Sequence, residues 1–238
     1  MSAWLDDALH RSAPAAPPAG GAWLAVAAAV AVACVAVPGI WLRLRVLVTV
    51  VHELGHAAVG VLAGRRFTGF VVRADMSGHA VTRGRPSGPG LAATLFAGYP
   101  APAVAGAALV VAALRGSSAP TLVVLAAAAA VSLLFSRSWR TAGVMLALAS
   151  SCSALWWWAP QQWRAGALVA AGLFLLLGAW RHLGTVARAG GRGDDPAALA
   201  RVTGAPAWLW LGFMLLVAAA ATGAVGWAGW GLWETPVS

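Results

Sequence analysis

The sequence has no lysine, no asparagine and only two glutamates among its 238 residues. Charged residues make up 10% of it, against about 25% in an ordinary soluble domain. That shortage excludes a soluble helical bundle, whose helices need a polar face to meet water; runs such as "TLVVLAAAAAVSLLF" have none. With lysine absent, all 16 basic residues are Arg. Together with the excess of Ala and Gly, this reads as the codon bias of a GC-rich genome. The two cysteines, Cys34 and Cys152, sit in separate apolar segments without motif spacing, which excludes a disulfide framework or a cysteine metal site. A secretory signal is also missing. The first residues are rich in Ala and Pro, carry Asp6 and Asp7, and lack a basic start followed by an apolar stretch; residues 1–21 are read as a flexible tail.

What the chain does have is apolar length. Hydrophobic residues make up 61% of it and the mean hydropathy is +0.78. The apolar residues come in blocks close to the roughly 20 that cross a bilayer core. The expected architecture is an all-α polytopic membrane protein with about seven spans: 22–38, 44–64, 91–114, 120–136, 141–159, 165–181 and 206–229. Only Pro38-Gly39 with Arg43 and Arg45, and "SRSWR", divide two of the neighbouring pairs, so six spans are possible. One transmembrane domain then covers 22–230, with a short tail at 231–238. Tryptophans near the span ends, among them Trp41, Trp139, Trp158, Trp163, Trp180, Trp208 and Trp230, read as interface anchors.

A pI near 11.7 would suit nucleic acid, but the arginines lie between apolar spans, where they act as topology signals. The partners expected are the lipid bilayer and a membrane-protein substrate, with no nucleic acid; the oligomeric state stays open. With seven spans, twelve arginines fall on one side, Arg11 and Arg192 among them, and Arg43, Arg45, Arg115 and Arg164 on the other. The positive-inside rule then places the N-terminus, the 65–90 segment and the 182–205 loop in the cytoplasm. Within 65–90, two β-prone runs, 68–74 and 79–84, flank Asp75-Met76-Ser77-Gly78. The expectation is a small cytoplasmic β-hairpin, about 66–86, after the second span. It is either a plain connector or a strand edge that an extended peptide could join.

One apolar run contains "VTVVHELGHAAVG", residues 48–60. A charged residue near the middle of a span costs about 2.5–3.5 kcal/mol on insertion scales, so His52, Glu53 and His56 need a use. Residues i and i+4 share a helix face, which lets His52 and His56 hold one metal ion. Glu53, one position on, can take the proton of a water on that metal. This is the arrangement of zinc hydrolases.

"HELGHAAVG" in an early helix, a hairpin containing "SGHAV" and a helix beginning "AGYPAPAVAG" resemble the site-2 protease group. The match is nearest to its bacterial branch of M-fifty-B-like peptidases, over about residues 44–212. The resemblance implies an intramembrane zinc (Zn2+) metalloendopeptidase cutting membrane-embedded substrates, with Glu53 catalytic. A third protein ligand is expected. Residue types leave His79, His182, Asp75, Asp194 and Asp195 open. A late motif of that branch is matched by "DDPAALARVTGAPAWLW", and it implies Asp195 as the ligand. Asp followed by Pro is equally a standard helix start, with Asp as N-cap. His56 lies about 13–14 Å below the nearest span end at 1.5 Å per residue, so the Asp195 segment would have to dip inwards.

Two further departures matter. The Asp-Gly motif of better-known site-2 proteases is absent, and so is any Asn to hold the oxyanion; Arg137 and Arg140 are possible donors or plain anchors. Asp75 and His79 could form a second metal pair, though turn chemistry accounts for Asp75, and His182 is read as an interface residue. The competing function class is a metal-binding membrane protein without protease activity, a transporter or scaffold, which would need ligands but no general base.

Overall fold

A computed structural model of the chain describes residues 2–18, 21–73, 75, 77–190 and 194–234. Arg192, Met76 of the expected turn and residues 235–238 of the expected tail lie outside these. Helices dominate: α1 (Ser2–Ser12), α2 (Ala22–Ala36), α3 (Pro38–Leu62), α4 (Pro89–Phe96), α5 (Pro100–Leu114), α6 (Ser118–Leu133), α7 (Trp139–Trp158), α8 (Gln161–Arg188), α9 (Asp195–Thr203) and α10 (Ala207–Glu234). Six of the seven apolar runs read from the sequence become single helices, and the run 91–114 becomes two. By length and composition three can cross a membrane alone, namely α3, α8 and α10 up to Trp230, and α4 with α5 makes a fourth, bent by 60° at its break. Proline explains the short pieces. It lacks the N–H that a continuing helix needs, and Pro38, Pro89 and Pro100 each stand in the first turn of a new helix.

The bundle is packed on small residues. A Cβ on Gly106 would come 2.4 Å from Gly172 O, so α5 and α8 approach at backbone distance, as small residues permit between helices in membranes. Around this contact Ala103, Ala107, Leu176, Leu183, Leu199 and Met214 form one buried cluster. Ala27, Val110, Ala113, Leu122, Ala165 and Val169 form another nearer the start of α8. Trp139, Trp158, Trp163, Trp208 and Trp230 are exposed, as anchors should be. Trp41 is not. It is buried at 4% exposure, tilted against Phe174 and edge-on to His182.

The hairpin consists of β1 (Arg66–Val72) and β2 (Gly78–Arg83), antiparallel, with Arg66 opposite Arg83 and Val72 opposite Gly78. It does not extend beyond the end of α3 but folds back along it. Gly60 faces Thr82, Gly78 faces Glu53 and Thr49, and Arg45 donates to Asp75 O. Its backbone is satisfied on both sides of β1: Phe70 N–H donates to Phe135 O and Arg137 N–H to Phe70 O, and Val72 N–H donates to Thr141 Oγ1. Irregular backbone at this depth is tolerable only with such partners.

The N-terminal segment packs on the bundle. Residues 2–12, expected as part of a flexible tail, carry helix α1. It lies at the end of the bundle opposite the hairpin and the late loop: Arg11 donates to Trp157 O, Trp4 stacks on Trp157, and Ala15 N–H donates to Gly116 O. From there α2 runs parallel to α8, with Val35 O accepting from Arg181, and α3 continues until Ala63 meets Gly90. The 15 residues of α2 rise about 22 Å, short of a bilayer core of about 30 Å, and the extended Val37 and Pro38 divide it from α3, which is by itself long and apolar enough to cross. The far half of α10 returns to the same end, where Val225 packs on the cluster at the start of α8. Reporter fusions at the two termini are expected to report the same side of the membrane; opposite sides would mean that α2 and α3 each cross.

Candidate metal centre

The centre grows from one helix face. α3 is uninterrupted from Pro38 to Leu62, so the four-residue spacing brings the imidazoles of His52 and His56 together, with Nε2 atoms 3.0 Å apart. Asp195 completes the group: its Oδ2 lies 3.3 Å from His52 Nε2 and 3.2 Å from His56 Nε2. Donors about 2.0–2.1 Å from a tetrahedral zinc stand about 3.3 Å from one another, so the three separations suit a single ion. Among the described residues these three are the group of metal-ligating side chains that meets in this way.

Two observations test whether the residues fit a metal. Asp195 Oδ2 is buried and has no hydrogen-bond partner of its own, an orphaned acceptor that a cation would satisfy. Next, His56 Nδ1 lies 2.7 Å from Thr94 O. A proton on Nδ1 given to that carbonyl leaves the Nε2 lone pair facing Asp195 and His52, the usual orientation of a ligating imidazole.

The helix-start reading of the late motif resolves within the Asp pair. Asp194 takes the N-cap position of α9, with extended backbone, and its carbonyl accepts from the amides of Ala197 and Ala198. Asp195, at the first helical position, is turned towards the histidines. The inward dip comes from two devices. α9 packs on α4 and inserts Leu199, fully buried, beside Leu183 and Met214. The break between α4 and α5 also puts Gly98 under the centre, where a Cβ would stand 2.4 Å from His56 Nε2 and 2.7 Å from Asp195 Oδ2. Only glycine leaves that space.

Glu53, 5% exposed, lines with His52 a cavity of about 580 Å³ that runs between α3, α8 and the hairpin turn. Gly78 of β2 lies against it; a Cβ there would meet Glu53 Oε1 at 2.5 Å. Sequence reasoning did not single out Gly78, Gly98, Thr94 or Tyr99. Tyr99, the single tyrosine of the chain, stands edge-on to His52 at 4.7 Å in the cavity wall. Its rarity beside Pro100 was the available signal.

The remaining candidates separate. His182 lines the cavity and is not an interface residue. His79 is exposed on β2. The Asp75 carboxylate accepts from Ser77 N and Oγ, which hold it below the usual range; no group of three or more metal-ligating side chains forms there among the described residues. Arg137 donates to Thr68 O, and Arg140 lies over the Trp139 ring, both away from the cavity.

The family model described as Peptidase M50B-like matches residues 25–225. The chain belongs to the Peptidase M50B-like family. The matched stretch contains α3 with its two histidines, the hairpin, the α4–α5 break and α9, so every element of the centre lies within the family region. No curated protein and no solved structure matches the chain. As an M50B-like chain it is expected to lose metal when the centre is crowded: Gly98→Ala should weaken zinc binding by about 10–100-fold, the cost of disturbing ligand support. Gly78→Ala, which crowds Glu53 and Thr49 but none of the three clustered donors, should keep the metal. Zinc titration of both variants against a competing chelator checks this.

Proposed function

We propose that this M50B-like chain is an intramembrane zinc metalloendopeptidase that hydrolyses peptide bonds of membrane-embedded substrates. His52, His56 and Asp195 are the ligands in this reading and Glu53 is the general base. The observation that carries it is the single convergence of two imidazoles, an unpartnered carboxylate oxygen and the Glu53 wall of one cavity. Zinc, when bound, supplies a Lewis acid that makes water acidic near neutral pH and polarises a carbonyl. The chain's own residues do the rest. Glu53 accepts the proton of the attacking water and later gives it to the leaving amine. Thr94 O keeps the His56 ring oriented. β2, paired among the described residues with β1 alone, offers a strand edge along α3 that an unwound substrate segment could join.

The bilayer and a membrane-protein substrate are the partners in this proposal. Six crossings follow if α2 with α3 and α4 with α5 each count once. The end bearing the centre, which keeps most of the arginines, faces the cytoplasm. A transporter or scaffold would use the ligands without a base, and a buried Glu53 beside His52 has no task there.

Two measurements test the reading. Elemental analysis should find about one zinc per chain, lost in His56→Ala. Glu53→Gln keeps size and a hydrogen-bonding tip but takes no proton. It should retain zinc and lose cleavage of a membrane-spanning reporter by at least the 10²–10⁴-fold, roughly, of a general acid–base group; unchanged processing would reject the mechanism.

A further inference from the structure

The cavity that holds Glu53 and His52 does not end at the metal centre. It continues along α3 past Thr49 to Arg45 and Trp41, and is closed on the α8 side by Arg181 and His182. Neither guanidinium has an anionic partner: among the described residues the ion pairs are Arg11 with Asp7 and the two histidines with Asp195. Arg45 is held by one bond, to Asp75 O, while its Nε is buried without a partner. Arg181 is fixed from behind, stacked over the Trp41 ring at 4.7 Å and bonded to Val35 O. The nearest hairpin carboxylate, Asp75, is already engaged by Ser77. The carboxylates of Glu53, Asp75 and Asp194 also line the cavity, but none forms an ion pair with Arg45 or Arg181. Two positioned guanidiniums left without an ion pair offer planar forks that suit a carboxylate.

We propose that Arg45 and Arg181 form an acidic-residue subsite, which binds the carboxylate of a substrate Glu or Asp side chain near the scissile bond. This rests on the endopeptidase reading above. Spacing sets the position. Arg45 precedes His52 by seven residues of continuous helix, about 10.5 Å along the axis. An extended peptide advances about 3.3 Å per residue, so the acidic side chain lies about three residues from the bond that is cut. An acidic residue inside an apolar segment is rare and costly in the membrane, so the subsite would also pick out few sequences.

The test uses the full-length zinc-loaded protein in phosphatidylcholine nanodiscs. The probes are synthetic Leu/Ala segments of about 20 residues carrying one Glu, or Gln in its place, walked along the segment. Binding is read by fluorescence anisotropy, and the cut position by mass spectrometry. Glu about three residues from the cut should bind and be cleaved at least about tenfold better than Gln, the scale of a hydrogen bond to a charged group. The Glu-to-Gln ratio should fall towards one in Arg45→Gln and Arg181→Gln, and be kept in part by Arg45→Lys. Variant zinc content reports folding. Equal wild-type binding of every Glu and Gln peptide overturns the subsite, as does a ratio that survives in the double Gln variant. If phosphatidylglycerol added to the nanodisc abolishes the preference, the arginines hold lipid phosphate and the proposal is also overturned. Preferred binding of Glu peptides without any cleavage keeps the subsite and removes the endopeptidase reading instead.

Discussion

Three donor atoms within 3.3 Å of one another, inside a bundle that is otherwise apolar, are the constraint on which the rest of the structure depends. An unpaired carboxylate away from water is expensive, and Asp195 is tolerable there because the two imidazoles face it. The surrounding backbone is shaped to let them meet. The chain breaks between Phe96 and Pro100, and the break puts a glycine where any side chain would occupy the centre. The same break presents Thr94 O to His56. A straight helix over 89–114 would carry that carbonyl within its own ladder and put a Cβ towards the metal position.

Bringing a polar centre to this depth requires polar backbone nearby, and the hairpin supplies it without leaving groups unpaired. β1 is bonded to β2 on one side and to Phe135 and Arg137 on the other, and Thr141 Oγ1 receives the amide of Val72. With its turn bonded to Arg45 and Gly78 against Glu53, the hairpin forms one wall of the cavity. Glu53, His52 and the two guanidiniums thus line one cavity, while Val48, Phe174 and Leu175 belong to the packed core beside it.

The α2–α3 bend rests on apolar contact around Ala31, Trp41, Val48 and Phe174, with Arg181 donating to Val35 O and lying over the Trp41 ring. It also puts Arg45 and Trp41 in the interior beside His182, where they line the cavity, although charge counting would assign them to the far surface.

The sequence by itself determined the helical class, the membrane setting, the hairpin and the His52–Glu53–His56 face. These depend on apolar length, turn residues and a four-residue period, all of them local. Asp195 was legible through a resemblance, because capping chemistry competes for the same Asp-Pro pair; it took α9 docking on α4 to give the N-cap position to Asp194 and bring Asp195 to the two histidines. Gly98, Gly78 and Tyr99 were not legible as neighbours of the centre, since each is defined by what a distant segment places beside it. The number of crossings was not legible for the same reason: counting arginines assumes that every apolar run crosses, and whether a run of 15 residues crosses or bends is decided by the helices it packs against.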